Sequence, residues 1–167
     1  MVDCYMIKLA PFKEEDFNRL ISWTDSEELL FQFAGTIFTY PLTAEQLETY
    51  LQDNNRVAFK VIDTTSNEVI GHAEIYKTEN NTAKICRVLI GNKTLRGKGL
   101  GQELIHELVS FSINSLQMKS IELNVYDWNT AAIRCYEKVG FFLDPEKFTT
   151  IAVKGDLWKS MNMVFKG

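Results

Sequence analysis

Arg96-Gly97-Lys98-Gly99-Leu100-Gly101 lies between an apolar run typical of a strand, Ile85 to Ile90, and an amphipathic run typical of a helix, Gln102 to Ile113. Glycines at alternate positions remove the Cβ atoms that would keep a ligand away from the backbone, so successive N–H groups can converge on an anion where the helix begins. Arg96 and Lys98 place positive charge beside those N–H groups. The stretch predicts a phosphate-binding loop, and an ordinary strand-to-helix turn rich in glycine is the alternative interpretation.

Two common phosphate-binding motifs do not fit this loop. A P-loop has four residues between its glycines and then Lys and a hydroxyl residue, whereas Gly91 and Gly97 enclose five and Gly99 stands where the hydroxyl belongs. A dinucleotide-binding fingerprint needs G-x-G-x-x-G and a later acidic residue, but the chain has G-x-G-x-G and no acidic residue closing the strand that ends at Val125. What remains is Arg-x-x-Gly-x-Gly between a strand and a helix.

Length and composition predict one domain over residues 1–167, because 46% hydrophobic residues can fill a sizeable core. A net charge of −4 argues against nucleic-acid binding and agrees with a cationic substrate. Cys4, Cys86 and Cys135 are scattered and form no C-x-x-C pattern, so we expect neither a disulfide framework nor a bound metal. We expect a reduced, cytoplasmic protein without a membrane partner, since no apolar run is long enough to span a bilayer.

The periodicity of apolar residues predicts a mixed, mainly antiparallel sheet flanked by helices, an α/β fold. Strand, helix and strand in succession around the glycine loop require one parallel crossover. Thr43 and Gln46 predict a capping box, and Gly140 predicts a helix end. The predicted strands are Tyr5 to Leu9, Val57 to Asp63, Val69 to Lys77, Thr82 to Ile90, Ser120 to Val125, Phe141 to Leu143 and Trp158 to Phe165. Five helices are predicted. The first carries Phe17, Leu20 and Ile21, the second runs from Ser26 to Gly35, the third begins at Thr43, the fourth covers Gln102 to Ile113 and the fifth covers Asn129 to Val139.

A second pattern follows the crossover. Residues 129–141 read Asn-x-x-Ala-x-x-x-Tyr-x-x-x-Gly-Phe, with Asn129, Ala132, Tyr136, Gly140 and Phe141 at the defining positions. With the glycine loop, this pattern resembles the GNAT N-acetyltransferases, and Trp23 with the Pro41 turn resembles their RimJ/RimL-like branch less specifically. The resemblance implies the GNAT fold, acetyl-CoA as cosubstrate and an amine acceptor.

The resemblance also implies where acetyl-CoA binds. In relatives the glycine loop holds the pyrophosphate, and the backbone of the preceding strand, with the asparagine of the second pattern, holds the pantetheine. One backbone N–H of that strand, at Leu89 or Ile90, would stabilise the oxyanion of the tetrahedral intermediate. The residues implied are Val88, Leu89, Ile90, Arg96, Gly97, Lys98, Gly99, Leu100, Gly101 and Asn129. Asn129 could also act as the N-cap of the last helix.

Tyr136 is the candidate general acid. A phenol with a pKa near 10 stays protonated at neutral pH and can donate to a departing thiolate. The alternative is a core tyrosine that packs its helix against the sheet.

The general base is less clearly marked, since Ala83-Lys84-Ile85 carries no base where histone-type relatives have a glutamate. Glu74 is the leading substitute, because a carboxylate on a sheet face must be paired, solvated or functional. Its alternative role is an ion pair with Lys84 or Arg87 across the hairpin. His72 is a second candidate base, with a hydrogen bond to backbone as its alternative role, and water could relay the proton instead.

Trp23 and Glu28 lie in the region that forms the acceptor side in relatives, where an acidic rim would attract an ammonium group. Charge at a helix start together with core aromatics is the alternative interpretation. The acceptor could be a peptide or ribosomal-protein N-terminus, a polyamine or a small metabolite. A non-catalytic acyl-CoA sensor or interaction module of the same fold is the rival class. A homodimer is compatible with the sequence, which is otherwise silent on oligomeric state.

Overall fold

The computed structural model describes residues 6–167, which form seven strands and five α-helices. Short 3₁₀ turns precede α1, at Glu14–Asp16, and follow β4, at Lys93–Leu95. The strands are β1 (Ile7–Pro11), β2 (Arg56–Asp63), β3 (Glu68–Lys77), β4 (Thr82–Ile90), β5 (Ser120–Tyr126), β6 (Phe141–Val153) and β7 (Asp156–Phe165). The helices are α1 (Phe17–Trp23), α2 (Glu27–Ala34), α3 (Ala44–Leu51), α4 (Leu100–Asn114) and α5 (Thr130–Val139).

The chain forms two compact units, and β4 contributes residues to both. The first unit comprises the chain up to Tyr76 and Cys86–Leu100, and the second comprises Lys77–Ile85 and Gly101–Gly167. The single domain expected over residues 1–167 stays a prediction.

In the first unit the strand order is β1-β2-β3-β4, with β1–β2 and β2–β3 antiparallel. Side-chain caps mark the starts of α2 and α3. The Ser26 hydroxyl accepts a hydrogen bond from Leu29 N, and the Thr43 hydroxyl accepts one from Gln46 N, so both residues satisfy N–H groups that have no partner inside the helix. The buried core of this unit includes Phe12, Phe17, Leu20, Leu30, Phe33, Leu47, Tyr50 and Leu89.

In the second unit the strand order is β4-β5-β7-β6. β4 and β5 are parallel from Thr82↔Ser120 to Ile85↔Leu123, which confirms the predicted crossover through α4. β7 is antiparallel to both β5 and β6, and the β6–β7 register shifts between Asp144 and Phe148. The apolar stripe of α4 is buried at Leu104, Ile105, Leu108 and Val109.

Several predicted boundaries differ from the structure. The first strand is Ile7–Pro11, and Tyr5 lies outside the described residues. The prediction of Phe141 to Leu143 as a short strand was wrong, because β6 continues to Val153 with mostly exposed side chains that give no apolar signal. The predicted Gln46 half of the capping box was also wrong, since its carboxamide bonds the backbone of Thr39 and Pro41. Within residues 6–167, no helix has the length and apolar character required to span a membrane.

Candidate active site

The glycine loop joins the end of β4 to α4. Asn92 accepts a hydrogen bond from Thr94 N and starts the 3₁₀ turn, after which Gly97 and Gly99 take left-handed backbone with φ of +78° and +84°. A Cβ on either glycine would meet no described atom within 4 Å, so glycine is required here by backbone conformation, not by crowding. The backbone of this segment is exposed and precedes the buried Leu100, the first residue of α4. Exposed backbone at a helix N-terminus is suited to an anion, so the predicted phosphate loop stays a prediction that this conformation allows.

Arg96 closes the loop onto β4. Its Nε and Nη2 donate to the backbone carbonyl of Ile90 at 3.1 Å and 3.0 Å. The sequence predicted positive charge at this position but gave no indication of the bidentate bond. The bond holds the guanidinium at the strand end, so the charge has a fixed position relative to the loop.

Trp23 packs against the first residue after β4. A Cβ on Gly91 would lie 2.1 Å from the indole carbons of Trp23, so the ring lies directly on the Gly91 backbone. The Gly91 N–H donates to Ile70 O on β3 at 2.9 Å, which holds this backbone in the sheet. Trp23 is thereby placed beside the proposed coenzyme-binding strand, whereas Glu28 is exposed in the first turn of α2.

Glu74 has no exposed surface, and its carboxylate is surrounded by donors. Tyr50 Oη donates to Oε2 at 2.5 Å, Arg87 Nη1 donates to Oε1 at 2.8 Å, and Arg56 Nε lies 3.2 Å from Oε1. The alternative role of Glu74, an ion pair with Arg87, is therefore present in the structure. Because the carboxylate is buried, accepts two hydrogen bonds and lies against a second guanidinium, it offers no accessible position for a substrate proton. Burial, and secondarily the negative charge of Glu74, raises the pKa of Tyr50 well above its ordinary value.

His72 is also buried, in an aromatic setting. Its ring stands edge-on to Phe12 and Phe33, with centroid distances of 4.6 Å and 5.7 Å. Burial, and secondarily the charge of Arg87, lowers the pKa of His72 to about 3, so the ring is neutral at physiological pH. The expected bond to backbone was wrong, because the partner of Nε2 is Tyr50 Oη at 3.2 Å.

The direction of these hydrogen bonds follows from the charge of Glu74. The Tyr50 hydroxyl donates to the carboxylate, so its oxygen accepts from His72 Nε2–H. Nδ1 of the neutral ring then carries no proton, and within residues 6–167 it has no hydrogen-bond partner. Tyr50 and Arg56 were not singled out in the sequence, because they come from α3 and β2, far along the chain from Glu74.

The second unit carries the two candidate residues of the later pattern. Asn129 Oδ1 accepts a hydrogen bond from Ala132 N at 3.3 Å, so Asn129 is the N-cap of α5, as one of its two interpretations predicted. Its side-chain NH₂ is the group that remains suited to a pantetheine carbonyl. Tyr136 lies on α5 with its ring centroid 6.3 Å from that of Phe141, and burial raises the pKa of its phenol to about 12. The phenol is therefore an O–H donor throughout the physiological range.

An aromatic cluster directly precedes Asn129 in the chain and was not predicted. Tyr126 stacks on Trp128 with centroids 5.8 Å apart, and Trp158 meets both rings edge-on at 4.9 Å and 5.1 Å. Asn129 N donates to Tyr126 O at 2.9 Å, so the cluster fixes the turn from which α5 starts.

Comparison with known proteins identifies the class. The family model of the acetyltransferase (GNAT) domain matches residues 7–142, and the chain therefore belongs to this family. It is a GNAT N-acetyltransferase, with a mixed α/β fold, as predicted.

The chain is similar to N-acetyltransferases with different names. The chain is 24% identical over 163 residues to an N-acetyltransferase 9-like protein of Nematostella vectensis, covering 90% of this chain and 82% of that protein. It is 28% identical over 149 residues to an aminoglycoside N(6')-acetyltransferase type 1 of Klebsiella pneumoniae, covering 81% of this chain and 73% of that protein. The spermidine N-acetyltransferase of Vibrio cholerae, solved with CoA and spermine, has the same fold, with a TM-score of 0.81, 19% identity and coverage of 95% and 94%.

Proposed function

We propose that this N-acetyltransferase moves the acetyl group of acetyl-CoA directly onto a primary amine. The acceptor ammonium first loses one proton to water. The neutral nitrogen then attacks the thioester carbonyl, the C–N bond forms, the C–S bond breaks, and the second proton lost by the nitrogen ends on the thiol. The observation that carries the proposal is the exposed, left-handed backbone at Gly97 and Gly99 beside the fixed guanidinium of Arg96. A pyrophosphate can accept hydrogen bonds from this backbone at the start of α4.

The proposed oxyanion donor is the N–H of Ile90. The carbonyl of Leu89 lies within 2.6 Å of where a Cβ of Gly71 would stand, and the Gly91 N–H donates to Ile70, so both groups face β3. Along a strand the N–H and C=O groups of successive residues point to opposite sides. The N–H and C=O of Ile90 therefore point away from β3. Between the two residues implied by the resemblance, this alternation favours Ile90 over Leu89. Val88, which lies on the same side as Ile90, is the proposed backbone partner of the pantetheine.

Tyr136 is the proposed general acid, acting chiefly as a hydrogen-bond donor to sulfur. A thiol with an ordinary pKa of about 8.5 is a stronger acid than a phenol whose pKa is about 12, so complete transfer from Tyr136 is unfavourable. A protonated phenol held against the developing thiolate still lowers the barrier to C–S cleavage. The amine supplies the proton that the thiol finally carries, and water is the proposed relay because the Glu74 carboxylate is buried.

The proposed acceptor is cationic in its resting form, since the chain carries a net charge of −4 and Glu28 is exposed on the proposed acceptor side. Relatives named for aminoglycosides and for spermidine both act on compounds with several amines. Polyamines, peptide N-termini and small amino metabolites are therefore the candidate acceptors. Coenzyme-dependent release of free thiol, measured across a panel of these amines, tests the proposal.

A non-catalytic acyl-CoA sensor is the second candidate function. The observation in its favour is that the leading candidate base, Glu74, has no exposed carboxylate. A sensor would gain melting temperature with acetyl-CoA and release no thiol with any amine of the panel. Absence of both effects would contradict the sensor and the enzyme alike.

A further inference from the structure

Arg87 has an unusual backbone for a residue inside a strand. Its φ is +49° in the middle of β4, although it is neither glycine nor asparagine. L-residues rarely adopt this conformation, and it persists only where the surrounding structure holds it. The residue directly precedes Val88, Leu89 and Ile90. The turn of the chain at Arg87 therefore sets the direction in which the next peptide groups point.

Glu74 is the group that holds Arg87. The guanidinium Nη1 of Arg87 donates to Glu74 Oε1 at 2.8 Å, and the carboxylate is fully buried on β3. Separating this ion pair would leave the buried carboxylate without its Arg87 partner, which is costly inside a protein. This cost holds the two side chains in one arrangement. The pair therefore ties the side chain of the left-handed residue to a fixed point of the first unit.

Glu74 is itself held from two other directions. Tyr50 donates to Glu74 Oε2, and Arg56 Nε lies 3.2 Å from Glu74 Oε1. The guanidinium of Arg56 also stacks on the Tyr50 ring, 4.3 Å from its centroid. Arg56 Nη1 also donates to Tyr50 O at 2.5 Å. The carboxylate cannot rotate away from Arg87 without breaking these bonds. Such a closed set of contacts fixes position more strictly than a single surface ion pair.

We infer that Glu74 is a positioning residue: through its ion pair it keeps Arg87 left-handed and so aims the backbone groups of Val88 and Ile90. The inference rests on the proposed function, in which those groups bind acetyl-CoA and the oxyanion. It assigns Glu74 an indirect role in place of the general base. Donors displaced by about 1 Å lose much of their effect on a transition state, so the rate, more than coenzyme affinity, depends on this anchor.

The test compares the single variant Glu74→Gln with the double variant Glu74→Gln/Arg87→Gly. The matched control is Glu68→Gln, at the exposed end of the same strand. Glu74→Gln should lower kcat about 10- to 100-fold while the KM for acetyl-CoA changes less than about threefold. Adding Arg87→Gly should restore most of kcat, because glycine adopts positive φ without an anchor. A catalytic base could not be replaced in this way. Glu68→Gln should leave both constants unchanged.

Amide hydrogen exchange at residues 88–91 gives a readout that does not depend on turnover. Exchange there should accelerate in Glu74→Gln and return towards wild type in the double variant. Lack of rescue by Arg87→Gly, or unchanged exchange in Glu74→Gln, would overturn the inference. If the wild-type protein releases no thiol with any amine, the proposed function fails, and the exchange data alone decide the anchoring role.

A second pair of variants serves if Glu74→Gln does not fold. Both variants lack the ion pair and differ only in the backbone they favour, so turnover in Arg87→Val should lie about 10-fold or more below that in Arg87→Gly, because a β-branched residue resists positive φ. Equal turnover in the two variants would contradict the requirement for a left-handed backbone at this position.

Discussion

Arg96 donates two hydrogen bonds to the carbonyl of Ile90, from Nε at 3.1 Å and from Nη2 at 3.0 Å. The residue that opens the proposed phosphate loop is thus bound to the last residue of the strand proposed to hold the thioester. In the proposed function, coenzyme binding and oxyanion stabilisation are therefore linked through one side chain.

Arg96→Lys should weaken acetyl-CoA binding although the charge is kept. Lysine cannot make the two parallel bonds to Ile90, so the loop loses its attachment to β4. We expect about a 10-fold rise in the Kd for acetyl-CoA, measured by calorimetry, corresponding to about 1.4 kcal/mol. Lys93→Arg, on the exposed 3₁₀ turn, is the control. An unchanged Kd in Arg96→Lys would mean that only the charge matters.

Gly99→Val should abolish coenzyme binding, because a branched side chain both strains the left-handed backbone and covers the N–H groups that face the ligand. Gly155 is a matched control, since it has φ of +86° and also meets no described atom within 4 Å of a Cβ. Gly155→Val carries the same strain in the turn between β6 and β7, so it should lower melting temperature without changing the Kd. Equal affinity in the two variants would contradict the phosphate loop.

Gly91→Ala should destabilise the fold by about 1–3 kcal/mol, because its Cβ would lie 2.1 Å from the rigid indole of Trp23. Urea unfolding measures the change. The combination with Trp23→Ala removes the overlap, so the two effects should be less than additive. Gly101→Ala is the control, since its Cβ would meet Cys135 Sγ at an ordinary 3.7 Å. Strict additivity of Gly91→Ala and Trp23→Ala would show that the two residues are not in contact.

Tyr136→Phe should lower kcat about 100-fold and leave the Kd for acetyl-CoA nearly unchanged. Tyr126→Phe, which alters a phenol on β5, should leave kcat within about twofold. Because the pKa of Tyr136 is about 12, kcat should show no decline from its ionisation between about pH 8 and about pH 10. Equal losses in kcat and affinity for Tyr136→Phe would remove its role as the acid.

The buried His72 should make stability depend on pH. Its folded pKa of about 3 lies below the ordinary 6.5, so the unfolded chain binds a proton that the folded protein does not. Titration of His72 therefore leaves the free energy of unfolding unchanged above about pH 6.5. Below that pH it lowers the free energy of unfolding by about 1.4 kcal/mol per pH unit as the pH falls towards 3. Urea unfolding between about pH 7 and about pH 4.5 measures this slope. His72→Phe should reduce this slope by that amount, and an equal slope in His72→Phe would contradict the prediction.

Local sequence predicted most of the elements. β4 has the predicted bounds Thr82–Ile90, Thr43 caps α3 as predicted, and Asn129 caps α5 as one of its two interpretations had it. The second helix begins next to Ser26, where the sequence placed its start. Gly140 ends α5 with φ of +119°. These features depend on bonds between residues a few positions apart, which the sequence displays directly. β6 was predicted too short, because an exposed strand does not need the apolar alternation by which strands are recognised.

The order of strand β4, glycine loop and helix α4 could be read from the amino-acid sequence, because an apolar run, alternate glycines and an amphipathic run are local patterns. The proposed positioning role of Glu74 depends on contacts that form only in the folded protein. Whether a carboxylate is a base or an anchor depends on its burial and on its charged neighbours, and here these come from Tyr50, Arg56 and Arg87 on three other elements. Such a neighbourhood arises only when distant segments pack together, and no local pattern encodes it.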